Sequence, residues 1–557
     1  MRAGAVFERE LRIAPRSRSL AVARAVYAGV LFTIIATSWL VVTGGSTVET
    51  AGETGRFAAT LLRILAPLQA ALAALAAAAL AAVSVTGEKD RRTMELLLAS
   101  SLGDAEIVLG KLASSLLQVM LLLASAIPIF AVVALFGGVT AGQLARLFAV
   151  TAGAALAAAS LANAVAFWKD TTFQTIAITL FALAAWIAVG ELAAAAWSPA
   201  AAEAISPARA VFAALDPRAR GGSLAFLGVC LAVAVATSLP AVLRLRAWNL
   251  VGGSRLASDA ARPRPARGPS RTVWGNPVLW REVCTRAHGR TILLVRLAWL
   301  GLFAAAMWGV AREAAAGRPD RLAVALAVMP MIVASLVAVT ALAVTSVTTE
   351  RDRGSLDLLL VSDIEPAEFV WGKLGGVFFV AREMALLPLA ACGGLVIAGL
   401  ATPEHGIYLA IGTAALLFFS GVLGLHAGLS HVSSRRAIVV ALGTVAFLFV
   451  GVATVMRIMV SFGSNFELQL APFLAMVVGG GVGLYAALSA RNPSPAIGWA
   501  SAMLPALTFV AITGFLQGSS LQVLLVTLVA YGFATAAMLV PAIGAFDLIT
   551  GRTTGTL

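Results

Sequence analysis

The chain has 557 residues, of which 60% are hydrophobic and only 12% are charged, and its mean hydropathy is +0.93. A soluble domain carries about a quarter charged residues, so this composition excludes a water-soluble globular fold. Lys and Arg outnumber Asp and Glu by 40 to 27. The basic residues cluster beside apolar runs, which indicates an orientation signal in a membrane rather than nucleic-acid binding.

Long apolar runs predict the membrane spans, because about 20 such residues are needed to cross a hydrocarbon core of about 30 Å. Six runs precede an Arg- and Pro-rich stretch, at about 20–43, 57–86, 112–136, 144–166, 173–196 and 223–245. Eight follow it, at about 291–311, 321–347, 374–400, 407–430, 437–460, 470–489, 497–516 and 521–546. The sequence therefore predicts an all-α polytopic membrane protein with about 12–14 transmembrane helices, of which 497–516 is the least secure.

The basic residues also predict the orientation of the chain, since Lys and Arg remain on the cytoplasmic side of a membrane. They are dense before the first span and again between Arg244 and Arg290. Both termini are therefore expected to be cytoplasmic, and the two halves would be parallel, related units. The loop at 197–222 is then placed on the outer side of the membrane although it contains three Arg. A re-entrant or interfacial helix is the alternative there.

Composition divides the chain into three parts. Residues 254–270 mix Pro, Gly, Ala and Arg without an apolar period, which is typical of a solvated linker. We therefore predict a first half at 1–250 with about six spans, a linker at 251–275, and a second half at 276–557 with about six to eight spans.

An internal repeat relates the two halves. Residues 88–112 read EKDRRTMELLLASSLGDAEIVLGKL and residues 350–374 read ERDRGSLDLLLVSDIEPAEFVWGKL, with 13 of 25 positions identical at an offset of 262. A second match, at an offset of 272, pairs residues 9–29 with 281–301 and repeats three arginines, a glutamate and a glycine. Because charged positions carry both matches, chance similarity between hydrophobic spans does not account for them.

Each 25-residue block is predicted to be a cytoplasmic loop between the second and third spans of its half, because it is too charged to enter the bilayer. In each copy an acid lies four residues after an Arg, which would place both on one face of a short helix. A second helix is expected to begin near Asp104 or Pro366. The alternative is an interfacial helix that only anchors the loop.

These blocks resemble the cytoplasmic loop of ABC-2 type transporter permeases, through the pattern E-[KR]-D-R-x-[TS]-[ML]-[ED]-L-L-L-x-S followed by G-K-L. In that family the loop carries a coupling helix that docks on a separate ATP-binding subunit. The resemblance therefore implies two ATPase-coupling loops, at 87–112 and 349–374. Their expected coupling residues are Glu88, Asp90, Arg91, Glu95, Glu106, Gly110, Lys111, Glu350, Asp352, Arg353, Asp357, Glu368, Gly372 and Lys373.

A second family feature is an interfacial helix introduced by N-P-x-L-x-[KR]-E. Residues 276–282 read NPVLWRE and match it, whereas residues 6–10 keep only its charged end. The resemblance thus implies interfacial helices that carry Arg9 and Glu10 in the first half, and Arg281 and Glu282 in the second. It covers each half up to about its third span.

No catalytic, cofactor or metal site is predicted within the chain. An ATP-hydrolysing domain needs a G-x-x-x-x-G-K-[ST] loop, and the two G-K-L strings lack its first Gly and its hydroxyl residue. Cys230, Cys284 and Cys392 lie far apart, without metal-ligand spacing. Arg382 and Glu383 lie deep in a predicted span, where they either face a polar cavity or pair with lipid phosphate and another helix.

Three functions remain open. The resemblance implies the permease of an ATP-driven ABC transporter, an exporter by family tendency, in a bacterial inner membrane with two cytoplasmic ATPase subunits as partners. An ion-coupled secondary transporter normally needs buried carboxylates or broken helices near the membrane midplane. A membrane enzyme would need a catalytic group of His, Asp or Ser residues that the sequence does not present. A non-transporting scaffold would need no such group. Membrane lipid is a further expected partner, and nucleic acid is not.

Overall fold

Almost all of the described chain is helical, because a backbone in hydrocarbon must satisfy its own N–H and C=O groups. The computed structural model describes residues 8, 18–45, 51–91, 93–169, 172–196, 199–216, 221–249, 272–284, 292–315, 321–352, 354–461, 466–492 and 494–550. No strand occurs within these ranges. The predicted all-α polytopic membrane fold is confirmed.

The chain folds into two compact units. The first comprises Met1–Gly268 together with Thr454–Ala475, and the second comprises Pro269–Ala453 together with Met476–Leu557. A short stretch from late in the sequence thus completes the first unit, a feature that the repeat does not indicate. Most of the predicted linker at 251–275 lies outside the described residues, so the division into 1–250 and 276–557 stays a prediction.

The first unit is built around its fourth long helix. Its helices up to residue 249 are α1 (Arg18–Gly45), α2 (Ala51–Asp90), α3 (Thr93–Ala99), α4 (Asp104–Leu135), α5 (Ala141–Trp168), α6 (Thr172–Ala196), α7 (Pro199–Ile205), α8 (Pro207–Leu215) and α9 (Gly222–Asn249). The central helix α5 packs against α2, α4, α8 and α9. It can do so because one side is a run of buried Ala and Gly residues, and small residues let helix backbones approach closely.

The second unit is likewise built around one central helix. The helices from residue 277 onward are α10 (Pro277–Cys284), α11 (Ile292–Ala315), α12 (Arg321–Asp352), α13 (Ser355–Val361), α14 (Pro366–Val380), α15 (Arg382–Ile397), α16 (Pro403–Ser430), α17 (Ser434–Val445), α18 (Val452–Ser461), α19 (Phe466–Leu474), α20 (Gly480–Leu488), α21 (Ala496–Gln517), α22 (Ser520–Gly544) and α23 (Phe546–Thr550). Short π-helical segments, Ala446–Gly451 and Ala475–Gly479, join α17 to α18 and α19 to α20. Helix α16 packs against α12, α15 and α22, and a Cβ atom added at Gly424 would lie 2.5 Å from the carbonyl oxygen of Thr340.

Eleven helices of the described chain are long and apolar enough to cross a membrane, and the pair α14 and α15 would make a twelfth. The two remaining predicted spans, 173–196 and 291–311, form helices α6 and α11. One prediction is wrong in part, because the continuous span expected at 374–400 is broken at Ala381, where α14 and α15 meet at 65°. The loop at 197–222 contains the short helices α7 and α8, and the alternative of a re-entrant or interfacial helix there stays a prediction.

Candidate functional site

Each unit carries a short helix in the loop between its second and third spans. Helix α3 buries Met94 and Leu98, which are 4% and 5% exposed, whereas Leu96 between them is 72% exposed. In the second unit α13 buries Leu356 and leaves Leu358 76% exposed. The buried residues fix each helix on its unit, and a leucine at the same repeat position of each loop is left exposed.

An ion pair ties the two ends of each loop together. In the first unit Glu88, near the end of α2, pairs with Lys111 in α4. In the second, Lys373 in α14 lies 2.8 Å from Glu350 in α12 and donates to the carbonyl of Ser346 at 3.1 Å. The residue numbers of the two pairs differ by 262, as in the repeat. Because Lys111 and Lys373 are only 13% and 1% exposed, these charges are compensated by the chain rather than by water.

A second cation of each loop binds the end of the fourth span. Lys89 donates to the carbonyl oxygens of Phe167 and Lys169, at 2.7 and 2.9 Å, where α5 ends. Arg351 donates to the carbonyl of His431 and to others where α16 ends. The last carbonyls of a helix lack partners and form the negative end of its dipole, so a cation stabilises them. Each loop is therefore fixed to three spans of its unit.

The NPVLWRE segment forms α10, which lies directly against α14. The side-chain oxygen of Asn276 accepts from the backbone N–H of Leu279 at 2.8 Å, and its amide donates to the carbonyl of Glu368 at 2.8 Å. A Cβ atom added at Gly372 would lie 2.7 Å from the Cβ of Val278. Only glycine permits this approach, so the Gly of the G-K-L string is explained by packing.

Four charges meet where α10 crosses the ends of α12 and α14. Lys373 lies 2.8 Å from Glu282, and Arg281 pairs with Glu350 and lies 3.1 Å from Glu282. Burial by itself would raise the pKa of Glu282, but Lys373 and Arg281 outweigh it and keep that pKa below its usual range. Two cations and two carboxylates balance, which makes a partly buried cluster tolerable.

One comparison relates part of the chain to a known family. Residues 46–206 match the family model described as ABC-2 family transporter protein, and this stretch includes α2, the first loop, α4 and α5. Over this stretch the chain is similar to the ABC-2 transporter family. None of the curated proteins gives a significant match to the sequence. This similarity and the many apolar helices together support a membrane transporter permease.

The chain uses several of the predicted coupling residues for its own packing. Asp90 is buried, and Asp352 accepts a hydrogen bond from Ser434 at 2.6 Å. Residues in the ion pairs above are Glu88, Lys111, Glu350, Lys373, Arg281 and Glu282. Of the others, Gly110 and Gly372 are buried, Glu106 and Glu368 are half-buried, and Arg91 and Glu95 are exposed. Arg9, Glu10, Arg353 and the side chain of Asp357 lie outside the described residues.

The predicted helical face shared by Arg91 and Glu95 is wrong. Helix α2 ends at Asp90 and α3 begins at Thr93, so the two residues flank a break in the helix. The predicted second helix of each loop is correct, since α4 begins at Asp104 and α14 begins at Pro366.

Sequence reasoning missed Arg246, in the last turn of α9. Its Nε lies 2.8 Å from Oδ1 of Asp104, so α9 is joined to the start of α4. The two residues are 142 positions apart, and no local spacing could indicate the contact. The signal available was an Arg at the end of a predicted span, with an acid in a loop predicted to lie on the same side of the membrane.

The two loops have different exposed surfaces. The second adds Val361, which is 86% exposed, and the exposed acids Asp363 and Glu365. At these three repeat positions the first has Ala99, Ser101 and Gly103, and its Asp104 is compensated by Arg246. The exposed part of the second loop is thus more apolar and more acidic than that of the first.

The predicted intramembrane pair lies at the bend between α14 and α15. Arg382 Nε donates to Glu383 Oε1 at 2.9 Å, and the other carboxylate oxygen lies 3.1 Å from Nε of Arg296 in α11. Arg296 is the position that the second repeat match pairs with Arg24, which was the only sequence signal for its importance. In the first unit the positions of Arg382 and Glu383 hold Met120 and Leu121, and α4 runs unbroken there.

Proposed function

We propose that the chain is the membrane-spanning component of an ATP-driven ABC exporter, built from two fused, related permease units and without enzymatic activity of its own. A separate ATP-binding subunit docks on each of the loops 87–112 and 349–374, so two ATPase subunits serve one chain. ATP is bound by these partners and no cofactor by the permease. The site is a bacterial inner membrane, with both termini and both loops on the cytoplasmic side.

The observation that carries this proposal is the pair of exposed leucines on anchored helices. Leu96 and Leu358 occupy equivalent repeat positions and remain 72% and 76% exposed, although both lie in charged loops. Apolar side chains that are fixed in place and surrounded by charges provide a contact of small area for a partner protein. Glu95 is exposed beside Leu96 and can add a charge-assisted hydrogen bond.

The anchoring of the loops supports a coupling role. A movement of a docked ATPase reaches the spans only if the loop does not bend first. The Glu88–Lys111 and Glu350–Lys373 pairs close the base of each loop, and Lys89 and Arg351 bind it to the fourth span. Displacement of α3 or α13 is therefore passed to three membrane helices together.

The bend between α14 and α15 is the feature that favours the alternative of an ion-coupled transporter, since broken helices line ion sites in such proteins. Both oxygens of Glu383, however, face guanidinium groups within 3.1 Å. Those oxygens already have cationic partners, which makes Glu383 poorly suited to bind a coupling ion.

Reconstitution tests the proposal. The full chain is co-expressed with an ABC-type ATPase of its own genome, and the complex is placed in proteoliposomes. We expect ATP hydrolysis to rise when the permease is present. Transport by the Glu383→Gln variant should remain dependent on ATP. A proton gradient that drives transport without ATP would contradict the proposal.

A further inference from the structure

The charged cluster at the α14–α15 bend leaves one positive charge uncompensated. Arg296 and Arg382 both face the single carboxylate of Glu383, at 3.1 and 2.9 Å. No other acid pairs with either arginine among the residues that the structure describes. A net charge among membrane spans is costly, so an anion from outside the chain would stabilise this cluster.

Arg382 has donors available for such an anion. Its side chain is 47% exposed, and only its Nε is bonded within the described part of the chain. The guanidinium carbon lies 5.5 Å from the ring centroid of Phe379, one helical turn nearer the start of α14. The two terminal amino groups make no hydrogen bond within the described part of the chain, and a planar guanidinium can bind phosphate through two hydrogen bonds.

An apolar groove continues from this cluster along the same two helices. Arg296 and Glu383 are each eleven residues before a residue of the groove, Met307 in α11 and Gly394 in α15, which is about 16 Å of helix in both cases. The groove has a volume of about 410 Å³, and its lining is apolar. Ile397 at its edge is 89% exposed, so the groove opens to the lipid side. A charged cluster at one end of an apolar groove is an arrangement that can bind an amphiphilic molecule.

We propose that the second unit binds one anionic membrane phospholipid, with its phosphate on Arg382 beside Arg296 and one acyl chain in the groove between α11 and α15. Charge complementarity selects the headgroup, and the parallel register of α11 and α15 sets the direction of the chain. Because Met120 and Leu121 replace the charged pair in the first unit, that unit has no equivalent site. The inference does not depend on how ATPases dock.

Lipid retention by the full-length permease tests the site. The protein is purified in mild detergent and equilibrated with a mixture of phosphatidylglycerol and phosphatidylcholine, and bound lipids are counted by native mass spectrometry. We expect one phosphatidylglycerol per chain to be retained preferentially. Arg382→Gln should reduce its retention about tenfold or more, because a charge-assisted contact is lost. Arg382→Lys keeps the charge and should retain more lipid than Arg382→Gln.

A groove variant keeps the test decisive if Arg382→Gln does not fold. Ala311 is exposed at the groove, so Ala311→Phe fills the channel and leaves all three charges in place. It should also lower phosphatidylglycerol retention. Arg312→Gln is the matched control, since Arg312 lies on the same helix but over the ring of Trp308, 5.9 Å away, and should have no effect. Equal retention of both lipids, or retention unchanged in Arg382→Gln and Ala311→Phe, would reduce the cluster to ordinary contact with bulk lipid and overturn the proposal.

Discussion

The ammonium group of Lys373 lies 2.8 Å from Glu350 and 2.8 Å from Glu282, so one buried cation joins the end of α12 to helix α10. The equivalent Lys111 pairs with Glu88. The lysine of each G-K-L string therefore has a structural task, which is to keep the two ends of a charged loop together. The coupling role proposed for the loops rests on the residues that these pairs leave exposed.

Lys373→Met should destabilise the permease more than Lys111→Met. Removal of Lys373 leaves two carboxylates, 14% and 17% exposed, with Arg281 alone, and breaking a buried pair costs about 3–5 kcal/mol. Lys111 has one carboxylate partner, which is 26% exposed and can be solvated. The melting temperature of each purified variant in detergent measures the difference. Equal losses would contradict the assignment of Lys373 as the centre of the cluster.

Gly376→Ala should separate α10 from α14. A Cβ atom at this position would lie 2.6 Å from the Cβ of Glu282, and overpacking of this kind costs about 1–3 kcal/mol. Gly393→Ala is the matched control in the neighbouring helix α15, because a Cβ atom there meets nothing within 4 Å. Thermal unfolding should show a loss for Gly376→Ala only. A loss of similar size in the control would point to a general effect of the substitution on helices.

Glu282 should make stability depend on acid pH. Its pKa in the folded protein is lowered below the usual value of 4.5, so the unfolded chain takes up the proton first as pH falls. Its contribution is present above pH 4.5 and is lost as pH falls through the folded pKa. The gap in melting temperature between the native protein and Glu282→Gln should therefore narrow below that pH. A constant gap from neutral to acid pH would show that the carboxylate is not stabilised by its neighbours.

How far the sequence predicts this structure depends on how local each feature is. Apolar runs locate the spans, and the start of α14 at Pro366 follows from its turn chemistry. The break at Ala381 and the Asp104–Arg246 pair depend on contacts between distant helices. The loop charges show the limit most clearly, because a pattern of charges does not say whether Glu350 faces a partner protein or Lys373 of its own chain.

The orientation of the chain predicts where a label can reach. A Cys placed at Ser270, in the Arg-rich stretch outside the described residues, should resist a membrane-impermeant thiol reagent in intact cells and react after lysis. The native cysteines should give little background labelling, since Cys230 and Cys392 are buried and Cys284 is half-buried. Strong labelling in intact cells would reverse the predicted orientation.

The central claim is that the ATPase docks at the two exposed leucines. The amount of ATPase recovered with the purified permease tests this claim most directly. Leu96→Asp and Leu358→Asp, singly and together, place a charge where an apolar contact is proposed. Val432→Asp is the control, because Val432 is also exposed, at 68%, and lies in another loop predicted to be cytoplasmic. We predict about tenfold weaker ATPase association for each single variant, a near-complete loss for the double variant, and no change for the control. Undiminished recovery with the double variant would contradict the account.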